Sequence, residues 1–448
     1  MLKNLLVTLL FISAGVQSQN SITGTVSPKN DLVTRVILYQ LKGTKQVYIS
    51  NSTIANDQFK IAIPKGNSAG MYRLSFTPEV FGFVDFLFDQ EDISMKFNPL
   101  NTSNSVQFLT SEENKTYANY LLETLKAQQK LDSLQIAFFG LKDKKQDEIT
   151  IDLYEKTLRD YVNTQNQYEE KTEGKLANHF IKATRKYFTP ALFVSPQEYL
   201  NSVKQHYFDF INFEDDVLKS STFFGEKAIE YVFYLNVSDD IQVQNALYKN
   251  AINEAMQKLG ENNAVKSDIL ISLIHSFEQF ENIAMAGFVI EDFYSKLPAN
   301  FIDEALVDEM QSKIKLAIGN KAPEITWEEN GKQRKLSELN IANNYILVFW
   351  STTCSHCLQE IPKLYEFSIG NKAMQVIAVA LEDNNKDYLT FTKKLTTWTN
   401  ILGLKKWENE MAKEYEIELT PTYFILDKDK KIIAKPIHFE EVKAYFEN

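Results

Sequence analysis

The spacing of apolar residues changes character twice along the chain. Between about residues 20 and 100 it follows the short period of strands. Val33-Thr34-Arg35-Val36-Ile37-Leu38-Tyr39 is β-branched and aromatic, and Gln58-Phe59-Lys60-Ile61-Ala62-Ile63 alternates polar with apolar. Residues 71–76, 83–88 and 93–97 continue the pattern, and Gly43, Asn56-Asp57, Gly66 and Pro78 punctuate it at hairpin spacing. A small antiparallel β-sandwich is predicted over residues 19–108. Residues 109–318 read as mainly α-helical. Thr110 with Glu113 has the form of a capping box, and Tyr154, Leu158, Tyr161 and Tyr168 recur at helical spacing. Ser195-Pro196-Gln197-Glu198 is a helix start, and Gly174 and Gly260 are expected stops. The aromatic run from Tyr207 to Phe213 is expected in the core, where aromatic side chains bury the most area.

Strands return in residues 319–448, at about 345–350, 374–381, 423–427 and 431–435, with helices after Cys357 and around 387–394. Alternating strands and helices predict an α/β sheet domain. The last two strands meet at Lys428-Asp429-Lys430, expected to be a solvated hairpin tip.

Composition narrows the function. With 44% hydrophobic and 12% aromatic residues the chain can build sizeable cores. Its net charge of −11 argues against nucleic acid and against anionic membrane surfaces, both of which call for excess Lys and Arg. Lys3, the apolar residues 5–11 and Val16-Gln17-Ser18 have the form of a secretory signal over residues 1–18, too short to span a bilayer. A secreted chain of this size has room for several structural disulfides, yet it carries only two cysteines, Cys354 and Cys357. Three positions apart, they cannot staple distant segments. Their purpose is local chemistry.

The segment from Ile346 to Trp350 is a buried strand that runs through Ser351-Thr352-Thr353 into Cys354-Ser355-His356-Cys357 and then a helix. A cysteine at a helix N-terminus faces unpaired N–H groups and the positive end of the dipole, which stabilise its thiolate. Two intervening residues let the second sulfur reach the first, the geometry that closes and reopens a disulfide. His356 beside Cys354 can stabilise the thiolate further, which favours the dithiol and raises the reduction potential, expected to exceed that of thioredoxin.

With Gly319-Asn320-Lys321-Ala322-Pro323 ahead of it, Phe349-Trp350 before the cysteines, Glu360-Ile361-Pro362 after them and Leu419-Thr420-Pro421-Thr422 leading into Tyr423-Phe424-Ile425-Leu426-Asp427, the region 319–448 resembles the TlpA/ResA-like branch of the thioredoxin superfamily. The resemblance implies a thioredoxin-like fold and thiol-disulfide exchange. Cys354 would be the nucleophile, Cys357 the resolving thiol, and the pair would form the redox disulfide. Glu360 would take the proton of Cys357, the more so because Val348 stands where other members carry a buried acid. Pro421 would be a cis-proline facing the cysteines, with Thr420 and Trp350 on the substrate side. No cofactor is implied, since the electrons reside in the dithiol. The implied partners are client proteins with cysteines and a membrane thiol/disulfide redox partner, met in the periplasm or cell envelope.

Three other readings stand beside this one. Cys354, His356 and Cys357, with His438, offer soft ligands for copper or zinc. A thiol peroxidase needs Pro and Thr at offsets occupied here by Leu347 and Ser351. Alternatively, the front regions could recognise a partner in the envelope, with the redox domain accessory. His179, His206 and His275 are isolated in sequence and read as packing or surface residues.

Overall fold

The computed structural model describes residues 20–78, 82–141, 148–329, 331–371 and 373–447, so the expected signal segment lies outside the described residues. The chain divides into two compact units, one ending at Leu273 and the other starting at Ile274.

The first unit opens with eight strands: β1 (Asn20–Val26), β2 (Val33–Lys42), β3 (Lys45–Thr53), β4 (Gln58–Ile63), β5 (Gly70–Pro78), β6 (Phe83–Phe88), β7 (Ile93–Phe97) and β8 (Gln107–Phe108). They form two four-stranded sheets, ordered β4-β1-β7-β8 and β3-β2-β5-β6. Pairing is antiparallel except between β1 and β7, which run parallel with Ile22 opposite Ile93. In β4 the alternation is strict: Phe59, Ile61 and Ile63 are buried while Gln58, Lys60 and Ala62 face outward. Buried residues of both sheets, including Ile22, Leu38, Phe59, Leu74 and Phe97, share one core, which makes the pair of sheets a sandwich.

Helices follow: α1 (Glu112–Phe139), α2 (Glu148–Lys171), α3 (Leu176–Ala183), α4 (Pro196–Gln205), α5 (Phe223–Ile229), α6 (Ile241–Lys258) and α7 (Asn263–Gln279), within which the two units divide. Tyr154 and Tyr161 of α2 bury against Leu131 of α1, as their spacing requires. The first cap is one residue later than the capping-box pattern indicates. Ser111, not Thr110, caps α1 by accepting the Asn114 N–H, and the buried Glu113 carboxylate instead accepts the Ala177 N–H at 2.7 Å. Thr110 is already engaged with the strand layer, accepting the Ser94 N–H at 2.7 Å. Gly174 and Gly260 follow the ends of α2 and α6 with φ of 77° and 54°, where a side chain would be strained. The aromatic run at 207–213 lies at the margin of the core: Ile211 is buried, and the half-buried Tyr207, Phe208 and Phe213 pack on the buried Tyr231 and Phe224.

In the second unit, α8 (Ile283–Asp292) and α9 (Glu304–Lys315) precede a hairpin of β9 (Thr326–Glu329) and β10 (Lys332–Lys335). The main sheet has the order β13-β12-β11-β14-β15, built from β11 (Asn344–Trp350), β12 (Met374–Glu382), β13 (Thr399–Leu404), β14 (Thr422–Asp427) and β15 (Ile432–Ala434). Strands β11, β12 and β13 run parallel, while β14 is antiparallel to both β11 and β15. Helices α10 (Ser355–Ser368), α11 (Lys386–Thr392) and α12 (Phe439–Glu447) complete the domain.

The central strand β11 is buried on both faces, which is why it reads as an unbroken apolar run. Tyr345, Leu347 and Phe349 enter one core with Tyr415 and Phe424. Ile346, Val348 and Trp350 enter the other with Cys357, Ile361 and Val442. At the expected solvated tip Lys428 and Asp429 are exposed, but Lys430 is not. Lys430 is 5% exposed; its ammonium donates to the carbonyls of Leu339 and Lys428 and lies 4.1 Å from the centre of the Tyr345 ring.

Candidate active site

Strand β11 ends at Trp350, and Ser351, Thr352 and Thr353 turn the chain into α10. Cys354 is the N-cap of that helix: its Sγ accepts the Cys357 N–H at 3.3 Å. It thus replaces the Ser or Asp that usually satisfies the first orphan donors. Cys354 is partly exposed, whereas Cys357, one helical turn on, is wholly buried against β11. Both are free thiols.

Pairing of β11 with β14, which sets Phe349 opposite Thr422, carries the turn at Thr420-Pro421 to the same end of the sheet. The Thr420–Pro421 peptide is cis. The Cys354 thiol donates to the Thr420 carbonyl at 3.1 Å, a contact across 66 residues of chain.

The two thiols differ sharply in acidity. Burial pushes the Cys354 thiol up, but hydrogen bonds from the Cys357 thiol, the Thr420 side chain and the N–H groups of Cys357 and His356 outweigh it, so its pKa is lowered. Burial, reinforced by the bond to Cys354, pushes Cys357 up to about 12. One sulfur is prepared to be an anion in contact with visitors. The other is kept protonated inside.

Glu360 is the sixth residue of α10, past the first turn where a carboxylate would meet the helix's own orphan N–H groups. Its Oε2 accepts the Tyr423 O–H at 2.8 Å and the Phe439 N–H at 3.0 Å. One carboxylate therefore ties α10 to β14 and to the start of α12. The Tyr423 hydroxyl is held far above the ordinary phenol range by burial, then by its bond to Glu360 and by the charges of Cys357 and Cys354. His438, considered above as a metal ligand, lies 3.8 Å from Glu360. Among the described residues no group of three His, Cys, Asp or Glu side chains is placed to hold a metal ion.

His356 is exposed, and its backbone N–H is among the groups that lower the pKa of the Cys354 thiol. Trp350, expected on the substrate side, is 0% exposed and packs edge-on against Phe391, 5.8 Å between ring centres. The alternation of β11 turns it into the core beneath the cysteines, where no client can reach it. His179, His206 and His275 each sit against an acid, Asp215, Asp209 and Glu278 respectively.

Two site residues were not singled out from the sequence. Glu382, at the end of β12, is 4% exposed and accepts the Thr352 N–H at 2.5 Å, pinning the turn that presents Cys354. An acid closing an otherwise apolar run was its available signal. Tyr423, inside the run 423–426, looked like one more core aromatic.

Residues 317–447 match the Redoxin family model. The thiol-disulfide oxidoreductase ResA of Bacillus cereus is 30% identical over 146 residues, covering 30% of this chain and 78% of that protein. ResA of Geobacillus thermodenitrificans is 25% identical over 156 residues, 34% of this chain and 83% of the relative. Among solved structures, a domain of a possible thiol-disulfide isomerase from Cytophaga hutchinsonii shares 34% identity over 29% of this chain and 90% of its own, with a TM-score of 0.26. A strand entering a cysteine-capped helix, a buried second cysteine and a Thr-Pro turn beside them agree with the Redoxin and ResA matches, and the chain belongs to the TlpA/ResA-like thiol-disulfide oxidoreductases of the thioredoxin superfamily.

Proposed function

We propose that this protein exchanges disulfides with cysteine-bearing client proteins outside the cytoplasm, through Cys354 and Cys357. In the reducing direction, the Cys354 thiolate attacks a client disulfide, forming a mixed disulfide and releasing one client thiolate. Cys357, losing its proton as it attacks the Cys354 Sγ, closes the internal disulfide and releases the second client thiol. The client gains two electrons and this protein loses them. Run backwards, the same steps oxidise a client dithiol. Glu360 receives the proton of Cys357, and the Thr420 backbone pairs with the client chain in extended form.

The observation that carries this reading is the contrast between a partly exposed, acidified Cys354 and a buried Cys357 one turn later. The signal-like residues 1–18 support an envelope location, where a membrane thiol/disulfide partner would reset the pair. The regions 19–108 and 109–318 then select or hold the client.

Replacing Cys357 by Ala in the full chain tests the proposal. The variant should accumulate a client joined to Cys354, released by dithiothreitol and identified by mass spectrometry. Absence of any adduct that depends on Cys354 would defeat it.

A further inference from the structure

Helix α4 in the first unit spans ten residues and carries an apolar face, Tyr199, Leu200 and Val203 at helical spacing, yet none of its residues is buried. A helix of that length draws its stability from packing such a face more than from propensity. The face of α4 does not meet a filled core. It lines a cavity of about 350 Å³ whose other walls come from α1, the segment after α3 and the end of α5. That volume falls within the range of small-molecule pockets.

The aromatic walls are already fixed. Tyr187 stacks on His206 with ring centres 3.9 Å apart. Tyr207 rests on the buried Tyr231 and donates its hydroxyl to the Lys227 carbonyl at 3.1 Å. Tyr199 donates to Asp132 at 2.5 Å. Directly after α5 the chain makes one π turn, Glu230–Tyr234, of the kind that concentrates at functional sites.

The charges on the lining cancel. Lys186 and Lys227 both approach Glu230, at 3.5 Å and 2.6 Å, and Asp132 is the second lining carboxylate. Arg185 is paired with Glu169 at 3.3 Å. A charged ligand would find no spare counter-ion, so the ligand that fits is uncharged. One polar group on the wall is left open. Nδ1 of His206 lies 2.6 Å from Asp209, which holds the ring proton on that nitrogen and leaves Nε2 as an acceptor. None of the described hydrogen bonds uses that Nε2.

We infer that this cavity binds a small uncharged aromatic alcohol. Its ring fills the space that α4 leaves unpacked, among Tyr187, Tyr199 and Tyr207, and its hydroxyl donates to Nε2 of His206. The ligand completes a core that the side chains alone do not close.

Isothermal titration of the full chain with 2-naphthol, uncharged at neutral pH, and separately with naphthoate tests this. Naphthol should bind saturably, one to one, and about tenfold or more tighter than naphthoate, whose carboxylate would enter without a counter-ion. His206→Phe keeps a ring against Tyr187 and removes the acceptor. It should weaken naphthol about fivefold, the scale of one net hydrogen bond, and leave the affinity for methylnaphthalene, which lacks the hydroxyl, unchanged. Val203→Phe, which fills the cavity, should abolish naphthol binding while the urea midpoint and disulfide exchange at Cys354 are retained. The His206 comparison decides the matter where the Val203 variant fails to fold. No saturable binding of naphthol, naphthoate binding as tightly, full affinity in His206→Phe, or binding that survives Val203→Phe overturns the inference.

Discussion

Closure of the internal disulfide requires Cys357 as a thiolate, and burial holds that thiol near a pKa of about 12. Burial of Cys357 persists when Cys354 is held in a mixed disulfide, so at neutral pH little of it is thiolate and its deprotonation adds to the barrier. A base that takes the proton during the attack recovers part of it, typically about 10²- to 10⁴-fold in rate. Glu360→Gln removes the base while keeping an oxygen for the Tyr423 O–H and the Phe439 N–H. Loss of charge assistance in those two bonds should cost about 1–2 kcal/mol of stability, read by urea unfolding. The larger effect should be kinetic. With Cys354 preloaded as a mixed disulfide with thionitrobenzoate, stopped-flow absorbance follows release of the coloured thiol as Cys357 attacks. The variant should release it about 10²-fold more slowly at neutral pH. Because the pKa of Cys357 is raised, its thiolate becomes more abundant as pH rises. The unassisted rate should therefore climb about tenfold per unit between about pH 6 and pH 9, and the wild-type rate less steeply. Equal rates and equal slopes in the two proteins would reduce Glu360 to a tie between α10, β14 and α12.

The lowered pKa of Cys354 means that iodoacetamide should modify it at a pH below that of an ordinary thiol, with one adduct by intact-mass measurement; two adducts on the folded protein would contradict the burial of Cys357. A stabilised Cys354 thiolate favours the dithiol, so a glutathione titration should give a reduction potential above thioredoxin's. His356→Ala should move that potential little, because the backbone N–H that acts on the sulfur survives the change; a large fall would show that the ring is engaged. Leu347→Ala, in the fully buried strand β11, should cost about 2–5 kcal/mol in urea unfolding, and a cost under about 1 kcal/mol would contradict the packing of that core.

Much of the redox domain was legible because its signals are local. An apolar run, two cysteines at the head of a helix and a second apolar run after Thr420-Pro421 are each contiguous in sequence. Strand β13 was harder to see, since Thr399, Asn400 and Gly403 dilute it and only Ile401 and Gly403 are buried at this sheet edge. The cap of α1 moved from Thr110 to Ser111 because the strand layer had already taken the Thr110 hydroxyl. Period-two alternation marks which residues share a face but not whether that face is covered, and Trp350 lies in the core with Cys357 instead of at the surface.

From the amino-acid order alone came the class of chemistry: two cysteines three positions apart where a strand enters a helix, among motifs that resemble the TlpA/ResA-like branch, point to thiol-disulfide exchange. The environment of each group came only with the tertiary structure. Glu382 meets the Thr352 N–H across 30 residues, and Tyr423 meets Glu360 across 63. Lys430 and Tyr345 meet because β14 and β15 deliver the hairpin to that ring. Acidity, burial and reach depend on neighbours brought in by sheet pairing, and a linear pattern carries the identity of those neighbours without their distance.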